Sequence, residues 1–154
     1  MSFSSFSFSS MTSINRVCVL LLLGMLALSG LTGCVSREEA DAKLALGCEA
    51  ASLLFAQQGV QVETTGQIIF GQSDLGKNFR HVLMSVTETD GWHQEQKEYR
   101  CIFMEEFGFA RLRYVATIYQ VRVGDQIFGK EGNEIIGSLE DHIRLTDAVA
   151  RAMR

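Results

Sequence analysis

An α+β fold is what this sequence predicts: an N-terminal helix, an antiparallel sheet of about four strands and a C-terminal helix, with the helices on one face of the sheet. Three observations lead there. Residues 36–58 and 139–152 carry apolar side chains at helical spacing. The stretch between them switches to strand-like alternation. Within it, Asp90-Gly91 is the strongest hairpin signal in the chain. Strands grouped together, rather than interleaved with helices, argue for α+β.

The first helix opens on Ser36-Arg37-Glu38-Glu39, the spacing of a capping box, in which Ser36 accepts from the Glu39 amide. Ala40, Leu44, Cys48, Ala51 and Phe55 then fall on one face, and Gly59 is a fitting stop. Many small residues, Gly47 among them, permit close packing. Residues 67–70 read as a short strand and 71–78 as a polar loop. Residues 79–88 place Val82, Met84 and Val86 on one face, and residues 97–105 do the same with Tyr99, Cys101 and Phe103. Residues 110–122 read as a long strand with Leu112, Tyr114, Ala116 and Ile118 inward and Arg111, Arg113, Thr117 and Tyr119 outward. A short strand near 126–128 and a Gly-rich loop follow. Ser138 then starts the last helix, with Leu139, His142, Leu145, Val149 and Met153 on its apolar face.

The 154 residues are 47% hydrophobic and 21% charged, which excludes a disordered chain and leaves room for one modest core. The formal charge of −4 excludes a global basic field of the kind that nucleic acid requires. The charges are unevenly placed. Arg16 stands alone before an apolar run, residues 17–28, which gives way to small residues and Cys34. A positive residue, an apolar core shorter than a membrane span and a small-residue cleavage site form a secretory signal. Met1 and Met11 are both candidate starts.

Leu31-Thr32-Gly33-Cys34 at the end of that core resembles the lipobox of bacterial lipoproteins, a resemblance that covers only about residues 16–34. It implies a signal peptide over 1–33 and a diacylglyceryl group on the Cys34 thiol. It further implies acylation of the new amino terminus and a single exported domain over 34–154. Val35 stands where an Asp favours inner-membrane retention, so the resemblance implies the outer membrane, facing the periplasm. Loss of Arg16 from the 14 basic and 18 acidic side chains leaves a net charge of −5. An acidic domain gains nothing from anionic headgroups as a whole, so the lipid is the expected anchor. No flexible tether follows Cys34, which places the domain close to the bilayer.

Export also bears on the remaining cysteines. Cys48 and Cys101 form an even pair in an oxidising compartment, the pattern of a disulfide. The competing readings are two buried thiols, or a nucleophilic Cys101 paired with Cys48 or His81.

Little else points to chemistry. Gly124 to Lys130 matches the start of a phosphate-binding loop, but Glu131 stands where Ser or Thr must reach the metal, so a Gly-turned hairpin is the better reading. His81, His93 and His142 lack ligand spacing, and His142 reads as a satisfied edge of the core. Glu105 and Glu106 point to opposite faces of a strand. The sequence therefore calls for no metal, nucleotide or other cofactor. Arg111, Arg113 and Tyr119 on one strand face, with Trp92 beside the hairpin, are residue types enriched in binding hot spots. Arg80, Lys97 and Arg100 extend that patch if the strands adjoin. The expected function is a non-catalytic binding or assembly module with an envelope protein partner. A small envelope enzyme or thiol-active protein using Cys101 is the alternative.

Overall fold

The computed structural model describes residues 34–56 and 60–154, so the signal peptide and the helix stop at Gly59 lie outside the described residues. Cys34–Arg154 forms one compact unit. Its elements are α1 (Arg37–Phe55), β1 (Gln61–Gln72), β2 (Phe79–Asp90), β3 (His93–Phe107), β4 (Tyr114–Val123), β5 (Gln126–Glu131), β6 (Glu134–Ile136) and α2 (Leu139–Ala152). The strands form one antiparallel sheet in chain order, β1-β2-β3-β4-β5-β6. This is an α+β arrangement of six strands rather than about four.

Each helix begins where its chemistry dictates. The Ser36 hydroxyl accepts from the Glu39 amide at 3.1 Å, and Ser138 does the same for Asp141 at 3.0 Å. Acidic residues fill both first turns, where the helix dipole favours them. On α1, Ala40, Leu44, Cys48 and Ala51 are completely buried. On α2, Leu145 and Val149 are buried, whereas Leu139 faces outward and is 61% exposed. These residues share one core with Val82, Met84 and Val86 of β2, Tyr99, Cys101 and Phe103 of β3, and Ile118 and Val121 of β4. The strand residues belong together because Val82 pairs with Cys101, Met84 with Tyr99 and Phe103 with Ile118. Gly47 has no room for a side chain. A Cβ there would stand 2.8 Å from Met153 Sδ and 3.1 Å from the Phe103 ring.

The disulfide joins Cys48 on α1 to Cys101 on β3, with Cα atoms 5.6 Å apart and a sequence separation of 53. It ties the first helix to a central strand through the middle of the core.

The additional strands have local causes. β1 pairs with β2 from Gln61 to Thr65 and again from Ile69 onward, with a register shift between. That irregularity interrupts the period-2 pattern, so only residues 67–70 read as strand. In β3 the polar residues Gln94, Glu95 and Gln96 pair with Thr89, Glu88 and Thr87, which lengthens the hairpin beyond its apolar part. Its two-residue turn is Gly91-Trp92, with Gly91 at φ +58°, the conformation for which glycine is selected at the first turn position. β5 and β6 reuse this device, with Gly124-Asp125 and Gly132-Asn133 between paired ends. The apparent phosphate-binding loop is therefore a hairpin turn followed by a strand. No helix among the described residues is long and apolar enough to cross a membrane.

Candidate functional site

Cys34 is exposed and lies two residues before the Ser36 cap, so no linker separates it from α1. Its thiol donates to the Ala110 carbonyl at 3.3 Å, and the Val35 amide donates to the Arg111 carbonyl at 2.9 Å. The start of the unit is thus seated on the connection between β3 and β4. Ala110 and Arg111 both adopt left-handed backbone there, at φ 52° and 58°. Two adjacent L-residues in that region cost about 1 kcal/mol or more each and persist only where surrounding contacts demand it. The bonds from Cys34 and Val35 fall on those two carbonyls.

Arg111, Arg113 and Tyr119, expected on one strand face, do not come together there. Arg111 and Arg113 precede β4 instead of lying on it, because a 3₁₀ turn at Phe109–Arg111 breaks the strand that alternation predicted over 110–122. Leu112, expected inward, is 62% exposed in the same connection. Tyr119 is on β4, turned away from the core, where its ring meets Phe79 edge-on at 4.9 Å and its hydroxyl donates to the Gly132 carbonyl. Trp92 is fully exposed at the opposite end of β3. A 15-residue strand spans about 45 Å, so Trp92 and Arg111 belong to different surfaces. Arg80 and Lys97 do not extend a patch either. Arg80 binds both oxygens of Asp41 at 2.7 Å, and Lys97 binds Glu88 at 2.7 Å. Arg100 is exposed on the other face.

The thiol readings fare differently. Cys101 is bonded to Cys48, so neither sulfur is free to act as a thiolate. His81 pairs with Ile102 while Cys101 pairs with Val82, which puts His81 and Cys101 on opposite faces of the sheet. His142 is not the satisfied core edge expected of it, since its Nδ1 is buried without a protein hydrogen-bond partner. No group of three metal-ligating side chains occurs among the described residues.

What sequence reading missed is an ionic network beneath the first turn of α1. Arg37 donates to both carboxylate oxygens of Glu105, at 2.6 and 3.1 Å, and to Asp41 at 3.0 Å. Tyr114 donates to the same Glu105 at 2.7 Å, and Arg80 clamps Asp41. The Arg37 guanidinium also lies 5.4 Å from the centre of the Phe107 ring. Burial alone would lower the Arg37 pKa, but the hydrogen bonds and charge of Glu105, with Asp41, outweigh it and the net direction is up. A second cluster closes the far end of the core. Glu88, 6% exposed, accepts from Tyr99 at 2.8 Å and from Lys97. Both clusters were legible by parity: Arg80 and Glu88 are in phase with Val82, and Glu105 with Phe103, so each ionisable group had to find a partner on the inner face.

Burial first, and then the hydrogen bonds to Glu88 and Glu105, push the Tyr99 and Tyr114 phenols well above their ordinary value of about 10. Above that pH the unfolded chain has lost phenol protons that the folded protein keeps. The stability these groups contribute is therefore full below pH ~10 and declines as pH rises beyond it. In Y99F/Y114F the urea midpoint should fall less steeply from neutral pH to pH ~11 than in the parent protein. An identical slope in both proteins would show that the phenols do not govern alkaline unfolding.

A groove of about 620 Å³ is lined by residues of β3, β4 and β5 that include Glu98, Arg100, Arg122 and Gln126. It is open and polar, without the enclosed apolar lining of a small-molecule site. The chemistry of the unit is thus structural where its charged groups are buried, and offers contact where its surface is apolar. No protein-family model, no curated protein and no solved structure matches this chain.

Proposed function

We propose that this chain is a lipid-anchored protein of the bacterial cell envelope, held at Cys34 to the outer membrane and facing the periplasm. Its domain acts there as a non-catalytic binding or assembly module. The observation that carries the reading is the placement of Cys34. The residue at which the lipobox would be cut is the first residue of the compact unit, is exposed, and runs into the α1 cap without a linker. The buried ionisable groups support a non-catalytic role, because Glu88, Glu105 and Asp41 all bind donors from their own fold.

The surface offered to a protein partner is the sheet face turned away from the helix-covered core. Ile69, Met104 and Val115 remain 53, 48 and 39% exposed there. Met104 pairs with Thr117, and Glu106 with Val115, so Met104 and Val115 are diagonal neighbours. The anchor is tested by the intact mass of membrane-extracted protein. A mass that begins at Cys34 with acyl chains attached is expected, and retention of residues before it would overturn the anchor. The module is tested by placing a photoreactive residue at position 104 or at position 139 on the outer side of α2. A discrete protein adduct is expected from 104 and not from 139. Failure to obtain one from 69, 104 or 115 would eliminate this face.

A further inference from the structure

The connection between β3 and β4 carries apolar and basic side chains that stand exposed. Phe109 is 92% and Leu112 62% exposed, and Arg111 and Arg113 alternate with them along the chain. The loop is not loose. Its turn is closed by bonds from the Gly108 amide to the Arg113 carbonyl at 2.8 Å and from the Arg111 amide to the Gly108 carbonyl at 3.0 Å. The Arg111 guanidinium lies 5.2 Å from the centre of the Phe107 ring, and Val35 holds the Arg111 carbonyl from below. A preorganised loop that leaves a phenyl ring and a leucine in water is a surface awaiting a partner.

We infer that loop 108–113 is a membrane-contact element, with Phe109 and Leu112 entering the boundary between headgroups and acyl chains and Arg111 and Arg113 pairing with anionic headgroups. This rests on the proposed acylation of Cys34. The bilayer is chosen over other occupants by position. The Cys34 sulfur that would carry the diacylglyceryl group lies 3.3 Å from the Ala110 carbonyl, between Phe109 and Arg111 in sequence. Acyl chains leaving that atom place the bilayer against this loop, whatever else the domain binds. Acylation removes the thiol proton and with it the bond to Ala110, whereas the Val35 bond to Arg111 is untouched. Charge points the same way. From Cys34 onward the net charge is −5, so an anionic surface attracts this domain only through a local basic element. Aromatic and aliphatic residues mixed with arginine are the composition of interfacial contact. The loop lies at one end of β3 and the exposed Trp92 at the other, so the contact sets the long strands steeply to the membrane.

The test uses the full-length protein, extracted and reconstituted in vesicles of phosphatidylethanolamine and phosphatidylglycerol at about 3:1. Trp92 is the only tryptophan, so W92F/F109W moves a fluorescent reporter into the loop. Brominated acyl chains should quench the reporter at 109 several-fold more than Trp92 in the parent protein. In a C34S background produced without residues 1–33, which lacks both the acyl chains and the apolar run, R111Q/R113Q should weaken partition into the same vesicles by about fivefold per arginine. F109S should weaken it by about tenfold.

The two readings fail differently. An acylated protein in the vesicles whose reporter at 109 stays unquenched overturns the loop assignment and leaves the anchor standing. An unmodified Cys34 overturns the anchor. Quenching in the C34S background then upholds the loop by itself, and absence of quenching overturns both. A protein adduct from a photoreactive residue at 109 in cells, without quenching in vesicles, assigns the loop to a protein partner and overturns the lipid contact.

Discussion

Removing the Cys48–Cys101 bridge should cost this domain about 4 kcal/mol and lower its melting temperature by about 15 °C. The bridge closes a loop with a sequence separation of 53, and the chain-entropy model assigns roughly that value to a closure of this length. Two features make the loss hard to absorb. Both cysteines are completely buried, so C48A/C101A also empties part of the core between α1 and β3. The unit is also small, and a domain of ~120 residues has a total stability of about 5–15 kcal/mol. The measurement is thermal unfolding of the double variant against the oxidised parent, with the reduced parent as a third sample. The reduced parent should fall between them, since it loses the closure and keeps the sulfur volume. Coincident melts for all three would mean that the bridge contributes nothing and that α1 is held by packing alone.

That arrangement was partly readable in advance, and the division is instructive. Val82, Met84 and Val86 on one strand and Tyr99, Cys101 and Phe103 on the next announced their face because three successive alternate positions on each are apolar. The helical period placed Cys48 inward on α1, so both cysteines were expected in the core, and the even count in an exported chain favoured a bridge between them. Where parity broke, the reading broke with it. The register shift in β1 disguised a 12-residue strand as a short one, and the glycines at the hairpin turns shortened β5 to residues 126–128 and disguised β6 as a loop. The patch of Arg111, Arg113 and Tyr119 was an error of extrapolation. Apolar alternation in Tyr114, Ala116 and Ile118 was carried back over Leu112, although Gly108 already signalled a turn. The left-handed backbone at Ala110 and Arg111 has no sequence signal at all, since neither residue favours it. It became visible only with Cys34 and Val35 seated against the two carbonyls. The part of the site that involves long-range contact between the amino-terminal segment and a loop some 75 residues later was therefore the part hidden from the sequence.

E105A should destabilise the protein by about 2–3 kcal/mol, more than truncation of any exposed carboxylate. Glu105 is the shared acceptor for Arg37 and Tyr114, and its side chain is only 10% exposed. Its removal leaves a phenol without its acceptor and a guanidinium with half its partners. The full penalty for breaking a buried pair, about 3–5 kcal/mol, is discounted because the Arg37 side chain is 31% exposed and keeps Asp41. E105Q should cost less than E105A, since an amide oxygen still accepts from Tyr114 or Arg37 while its NH₂ faces donors. The decisive comparison is R37M/E105L/Y114F, which removes Glu105 together with both of its donors and spares the Asp41–Arg80 clamp. Replacing a satisfied polar cluster by apolar groups is far milder than orphaning its members, so the triple variant should be more stable than E105L alone. That ordering, read from urea midpoints, would show that the network serves to seat the first turn of α1 rather than to supply net stability. The reverse ordering would show that the ion pairs themselves hold the helix to the sheet.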